Sequence, residues 1–473
     1  MKNYFLLLLA GLTSLNAFAQ VCIKGNIKNL PPGNTAEVSY YSDRIDWTET
    51  SAGKVNVDTQ GNFVLRFPWE KPGQATLTIG EQHTDLFLVK GDSLQIDVDY
   101  LSFDSSLVYH GKGAADNQYL AAEILEDFQS KSNRYSYFTD AALYTAYEDS
   151  LEQANKTFFK AHDSKDFSKE FRSYITTSIK YRYVNPRWMF KILYDRKTKK
   201  ITTRELPEHY FDFLKKINLD DEDAIENTNY QVALLRYLSE NNDDENARSL
   251  PDSIKDFERM KILADMNYKF RKNVFKGKVR DYELTMYVKD HLGVLMQDPE
   301  YADKLVNDYK ATCRNPVYVA SIDKIYSRAK SMMPGKAAPE FLLMNTEGKT
   351  VSLAAFKGKT VFIDFWATWC VPCIVSMPRA KALEEKLKDR NDIVFLFVNV
   401  NDDSTSWRNY IKKEELGGAH LRADKKQSAE LYSAYNFNGI PHYALIDRNG
   451  KIVEANMDSP GDEAEKKILE AAK

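Results

Sequence analysis

The sequence predicts a multidomain chain of α+β and α/β class: a strand-rich start, a helical middle and an α/β end. Three observations carry this. Apolar residues alternate with period two through residues 20–112. They recur at near-helical spacing through 113–330. From 340 to 473, apolar runs alternate with helical patterns, and one run leads through two cysteines into a helix. At 473 residues the chain has room for two or three domains. Its 43% hydrophobic and 28% charged content supports real cores rather than disorder.

Residues 1–19 read as a secretory signal peptide. Lys2 supplies the positive end, Phe5 to Leu9 begins an apolar run continued by Leu12 and Leu15, and Ala17-Phe18-Ala19 is a small-x-small cleavage site. Cleavage before Gln20 would release the chain into the periplasm or cell envelope. An uncleaved anchor is one alternative, though the run is short for a membrane span. A lipid-modified start at Cys22 is another, though Val21 stands where a small residue is expected.

Residues 20–112 then alternate. Val21, Ile23 and Ile27 come first, followed by Ala36, Val38 and Tyr40. Val55 and Val57 lead through Asp58-Thr59-Gln60-Gly61-Asn62 into Phe63, Leu65 and Phe67, a hairpin signal. Ala75, Leu77, Ile79 and Leu94, Ile96, Val98 continue the pattern. Roughly eight short strands predict an antiparallel β-sandwich or barrel. His83 and His110 stand alone and read as strand or surface histidines. Residues 113–330 read as a helical domain, from Leu120, Ile124 and Phe128, from Val232 to Leu238, and from Leu284 to Leu295. The aromatic stretch Phe171 to Tyr194 reads as its core. Residues 331–339 hold Pro334-Gly335 and Pro339 and read as a linker.

From residue 340 the elements alternate. Strands are expected at Phe341 to Met344, Thr360 to Trp366, Ile393 to Val400, near His420 to Arg422, at Tyr443 to Ile446 and at Lys451 to Val453. Helices are expected from the dithiol to about Arg390, and over Thr405–Glu415, Gln427–Tyr435 and Asp462–Ala472. The result is a mixed sheet covered on both faces.

Charge excludes some functions. With 65 basic and 68 acidic residues the net charge is −3, which gives no case for nucleic acid or an anionic membrane surface. No Gly-x-Gly-x-x-Gly follows a predicted strand, so no dinucleotide cofactor is expected. Of four cysteines, Cys22 and Cys313 stand apart and are expected to be free and buried. Cys370 and Cys373 form the one local pair. A lone Cys-x-x-Cys could be half a zinc site, but no second Cys/His pair stands at ligand spacing, so no metal is expected. A strand feeding a helix through this pair places Cys370 at the helix N-terminus. There, free N–H groups and the helix dipole stabilise a thiolate, the nucleophile of disulfide exchange.

Three stretches carry a family resemblance: Ala338-Pro339-Glu340-Phe341, Phe365-Trp366-Ala367-Thr368-Trp369-Cys370-Val371-Pro372-Cys373, and Gly439-Ile440-Pro441. Residues 334–473 resemble a thioredoxin-fold, redoxin-like domain close to the TlpA/ResA type of bacterial envelope thiol-disulfide reductases. The resemblance covers about 30% of the chain, and its motifs are specific. It implies that Cys370 is the exposed attacking thiol and Cys373 the buried resolving thiol of a redox-active disulfide, with no other cofactor. It implies a cis Pro441 facing the dithiol, with the Ile440 backbone available to an extended substrate. Asp364 would lie buried beneath the dithiol as proton acceptor. Trp369, Val371, Pro372, Ile440 and His442 would face the substrate. Trp366 would pack against the site, and Pro378 resembles a helix-kinking proline. Two positions depart from the family: Ser376 stands where ResA-like proteins carry glutamate, and His442 where threonine is common.

The resemblance further implies protein disulfides as substrates and a membrane protein as electron donor. Val371-Pro372 between the cysteines lacks the extra positive charge of strongly oxidising sites, so reduction is the expected direction. Haem-attachment sites of apocytochromes c are among the compatible substrates. A thiol peroxidase is the rival enzyme, but Ile363 and Ala367 stand where its proline and hydroxyl residue would be. An envelope assembly or binding factor with an accessory redox domain is the non-enzymatic rival.

Overall fold

The computed structural model describes residues 20–45, 48–195, 200–251, 253–254 and 256–473. The expected signal peptide, with Lys2 and Ala17-Phe18-Ala19, lies outside the described residues. The chain divides after Met286 into two compact units.

The first unit opens with β1 (Gln20–Lys28), β2 (Thr35–Asp43), β3 (Thr48–Asn56), β4 (Asn62–Pro68), β5 (Gly73–Ile79), β6 (Gln82–Leu88), β7 (Ser93–Asp99) and β8 (Val108–Lys112). Among the described residues these form two four-stranded sheets, ordered β4-β1-β7-β8 and β3-β2-β5-β6. Alternation puts Val21, Ile23, Phe63, Leu65, Leu94 and Ile96 of one sheet into the same core as Val38, Leu77 and Ile79 of the other. The same alternation turns Cys22 to the outer face, so it is half-buried rather than buried, while Cys313 is buried; both are free.

Two features depart from the expected antiparallel, hairpin-linked arrangement. β1 and β7 run parallel. The chain reaches β7 by crossing from the other sheet, so no tight turn forces the strands to oppose each other. Nor do β3 and β4 pair as a hairpin: they lie in different sheets, and β4 pairs with β1. The turn between them docks on β1 instead. Asp58 accepts from the N–H groups of Gln60 and Asn62, and Gly61, at φ +83, accepts from the Ile27 N–H. A Cβ on Gly61 would stand 2.0 Å from the Ile27 carbonyl oxygen, so glycine is what lets this corner close.

The helical stretch includes α1 (Ala114–Glu126), α2 (Ala141–His162), α3 (Lys169–Tyr181), α4 (Thr228–Leu238), α5 (Asp256–Val274) and α6 (Gly277–Leu295). Asp140, Ser168 and Asn227 cap α2, α3 and α4 by accepting from backbone N–H groups of the first turn. Phe167, Phe171, Ile175 and Ile179 pack with Tyr119 and Phe87 as a buried cluster. A two-stranded ribbon, β9 (Ile192–Asp195) with β10 (Lys200–Thr203), interrupts the helices. Strands of four residues are too short for a periodic signal to reveal.

The second unit holds α7 (Pro299–Thr312) and α8 (Pro316–Ser331), each opening on an Asp or Asn cap followed by proline. Then come β11 (Leu342–Asn345), β12 (Thr350–Ser352), β13 (Thr360–Trp366), α9 (Val371–Leu387), β14 (Ile393–Val400) and α10 (Ser404–Glu414). The chain ends with β15 (Ala419–Ala423), α11 (Lys425–Ala434), β16 (His442–Ile446), β17 (Ile452–Glu454) and α12 (Asp462–Ala471). The sheet order is β12-β11-β15-β14-β13-β16-β17. β13, β14 and β15 are parallel, and β16 runs antiparallel to β13. This is a thioredoxin fold. Every residue of β13 is buried, as befits a central strand covered on both faces. The C-terminal end of β13 and the N-terminus of α9 therefore meet at mid-sheet. Residues 335–338 are hydrogen-bonded along β17: Gly335 and Ala338 donate to the carbonyls of Ile452 and Gly450, and Ile452 donates to Lys336. Among the described residues, no helix is long and apolar enough to cross a membrane.

Candidate active site

Cys370 is the N-cap of α9, with Val371 and Pro372 following in the first turn. Pro372 lacks an N–H where the helix has no acceptor for one, so the turn forms without loss. Pro378, further along, removes a backbone donor inside the helix. Cys370 and Cys373 are joined as a disulfide. The Cys370 sulfur accepts the Cys373 N–H at 3.2 Å, and in the dithiol form the same donor would stabilise a Cys370 thiolate.

Cys370 is not exposed in this oxidised form. It is 4% accessible and Cys373 1%. Its sulfur is bonded to that of Cys373, and the Ile440 carbonyl oxygen lies 3.5 Å from it. The Ile440–Pro441 peptide is cis and brings that carbonyl to the dithiol. The exposed surface is instead apolar and adjacent: Trp369, Val371 and Val375 are 57%, 71% and 61% accessible. Pro372 is exposed, while Ile440 and Pro441 are half-buried. Val375 is the member that the sequence reading missed. Its spacing of four from Val371 puts both on one helix face.

Asp364 lies on β13 between Phe397 of β14 and Tyr443 of β16. It is buried, and its Oδ1 has no hydrogen-bond partner. Burial without a counter-charge pushes its carboxyl up to about 8. His442, expected at the substrate face, turns inward. Its ring is buried and stacks on Phe437 at 4.4 Å between centroids. Burial lowers its pKa to about 4, against the raising effect of a hydrogen bond from the ring to the Ala455 backbone carbonyl. Trp366 is also buried, packed against Tyr410.

Two further arrangements join residues far apart in sequence. Asp402 follows β14 and accepts from the Thr368 N–H at 2.8 Å, the Thr368 hydroxyl at 3.0 Å and the Asn399 amide at 2.6 Å. It clamps the loop that delivers Cys370. Its place just beyond a central parallel strand was the available signal. Second, the Tyr443 hydroxyl donates to Ser376 Oγ at 2.9 Å, and Ser376 donates to the Cys373 carbonyl at 2.9 Å. Among the described residues, no group of three or more His, Cys, Asp and Glu side chains is arranged to hold a metal.

A redox disulfide at the N-terminus of a helix, faced by a cis-proline on a thioredoxin sheet, defines the class: a protein-disulfide oxidoreductase. A family model described as Redoxin matches residues 333–472. The thiol-disulfide oxidoreductase ResA of Bacillus cereus is 33% identical over 129 residues, 27% of this chain and 72% of that protein. ResA of Bacillus subtilis is 29% identical over 130 residues, 28% of this chain and 70% of that protein. Among solved structures, the thioredoxin domain of a thiol-disulfide oxidoreductase from Bacteroides vulgatus is similar at 26% identity, covering 30% of this chain and 100% of that one, with a TM-score of 0.28. The chain belongs to the ResA family of thiol-disulfide oxidoreductases.

Proposed function

We propose that this protein is exported by its N-terminal signal peptide and reduces protein disulfides in the cell envelope. The observation that carries the reading is the placement of the Cys370–Cys373 disulfide: on a helix N-terminus, beneath the Ile440 carbonyl, with buried Asp364 on the adjoining strand. In the dithiol form the Cys370 thiolate attacks a substrate disulfide. A mixed disulfide forms and one substrate thiolate leaves. The ionised fraction of Asp364, which grows as the pH rises towards about 8, takes the proton of Cys373, whose thiolate then attacks the Cys370 sulfur. The Cys370–Cys373 bond closes and the second substrate thiolate departs, so two electrons have passed to the substrate.

The return step needs an electron donor, which we place in the membrane. When a donor thiolate opens the disulfide, Cys373 leaves as an anion, and Asp364, neutral below about pH 8, can protonate it. The cis-proline side and the apolar patch of Trp369 and Val371 would hold the substrate chain, pairing it with the Ile440 backbone. Residues 20–112, read as a β-sandwich or barrel, and the helical domain 113–330 would select the substrate, with 331–339 joining them to the redox domain. Proteins that receive haem on a Cys-x-x-Cys-His site fit this chemistry.

A Cys373→Ser variant tests the reading. It should hold its substrate on Cys370 as a mixed disulfide that gel analysis resolves and a reductant releases; no adduct from growing cells would count against Cys370 as the attacking thiol. Direction is checked by the reduction potential, expected nearer to thioredoxin, about −270 mV, than to disulfide isomerase, about −180 mV.

A further inference from the structure

The Tyr443–Ser376 pair is unexplained by the steps above. Tyr443 is 4% accessible and Ser376 5%, so both hydroxyls have left water and each needs a partner. They find one another, and the chain of donors ends on the peptide carbonyl of Cys373. Tyr443 is also the cross-strand neighbour of Asp364, so its ring stands on the same face of the sheet as that carboxyl. The Tyr443 ring stacks on Phe362, which fixes where its hydroxyl reaches. One residue thus touches both halves of the proton-transfer pair: the helix turn that carries Cys373, and the strand position beside Asp364. Ser376 is a small residue on the helix turn that follows Cys373, within hydrogen-bond reach of the phenol.

We infer that Tyr443, acting through Ser376, is a positioning residue for the resolving half of the dithiol, holding the Cys373 turn of α9 in register with Asp364. The inference rests on the redox reading above and names what sets its proton-transfer step. Burial and the neighbouring Asp364 charge hold the phenol above its ordinary pKa, so Tyr443 remains a donor through neutral pH. Burial is what raises Asp364, and the elements packed around the Tyr443–Asp364 pair contribute the following groups. β14 contributes Phe397 and β16 contributes Tyr443. α9 contributes Ser376, which bonds the Tyr443 hydroxyl, and Arg379, whose charge acts on it. Beside Trp366 lies Tyr410 of α10. His442 packs with Phe365 and Phe437. α12 meets β13 at its Thr360 end, and its Glu465 and Lys467 pair with Lys386 and with Glu454 and Asp458. A pH dependence of resolution therefore reports on Asp364 and Cys373.

The test uses the full chain with Cys370 loaded as a mixed disulfide with a thionitrobenzoate probe. Resolution by Cys373 releases the coloured thiolate and is timed across pH. Tyr443→Phe keeps the ring and removes the hydroxyl; it should slow resolution about tenfold or more and move its pH midpoint. Ser376→Ala should do the same, Ser376→Thr should restore the wild-type rate, and the double variant Tyr443→Phe/Ser376→Ala should be no slower than either single one. Alkylation of Cys370 in the reduced protein is the control and should stay within about twofold of wild type. An unchanged midpoint in Tyr443→Phe overturns the inference, as does an equal loss in alkylation and resolution, which would mark a general loss of structure. Failure of wild-type Cys373 to release the probe at all would overturn the dithiol reading itself, and this inference with it.

Discussion

Asp364 keeps its proton to about pH 8 because nothing charged offsets its burial between Phe397 and Tyr443. The consequence for stability has a definite sign. Its pKa is raised on folding from 3.8, so its contribution is fully present below that value and is lost as the pH climbs towards about 8. Asp364→Asn does not titrate. Measured by chemical denaturation, its stability relative to wild type should improve by up to about 1.4 kcal/mol per pH unit across that window. Its catalytic behaviour should move the other way: thiol release should be slower by about a hundredfold or more, with the rise through pH 8 abolished. Equal pH–rate curves for the variant and wild type would remove Asp364 from the mechanism. His442 has the opposite sign. Its pKa falls from 6.5 to about 4, so its contribution is present above 6.5 and is lost as the pH falls through that interval. A neutral, stacked ring is what the site holds near neutral pH. His442 therefore has no charge change there with which to tune the thiolate.

At the scale of elements, the dithiol loop is held by a side chain from the next strand connection. Asp402 takes three donors, two of them from Thr368, and is itself nearly buried. Bonds to a charged acceptor are worth about 1.5–3 kcal/mol each, less what water recovers. Asp402→Ala should lower stability by about 3 kcal/mol, and Thr368→Val, which keeps the shape and one bond, by about 1 kcal/mol. Amide exchange at Thr368 should speed up in the first variant more than anywhere in β13. Uniform acceleration would show a general loss of packing instead. Cys370 and Cys373 were legible because a reactive pair and its helix are contiguous in the chain. Asp402, Tyr443 and Ser376 were not, because their roles depend on strand order, which brings residue 443 beside 364 and residue 402 beside 368.

At the scale of the molecule, the redox site and its supports lie within the second unit. The stretch before β11 belongs to that support: residues 335–338 pair along β17, and Tyr435 donates to the Pro339 carbonyl. A fragment of residues 333–473 should therefore fold and show the same reduction potential as the whole chain. One starting at residue 341 loses these bonds and leaves the β17 edge unpaired, so it should melt at lower temperature or associate. Equal melting of the two fragments would show that the preceding stretch is dispensable.

The chemistry proposed for this protein was carried by short contiguous motifs: a thiol pair after an apolar strand, a Gly-Ile-Pro some seventy residues on, and an acid on the strand that leads to the pair. Local pattern also marked the strand-rich start, the helices and the α/β end, because period and burial are written residue by residue. Partnership was not. That β4 leaves β3 for β1, that β1 lies parallel to β7, that His442 turns inward and that Tyr443 reaches Ser376 were decided by packing. Each is a choice among partners distant in the chain. It is settled by which arrangement buries the apolar faces and leaves the fewest hydroxyls and peptide groups unpaired.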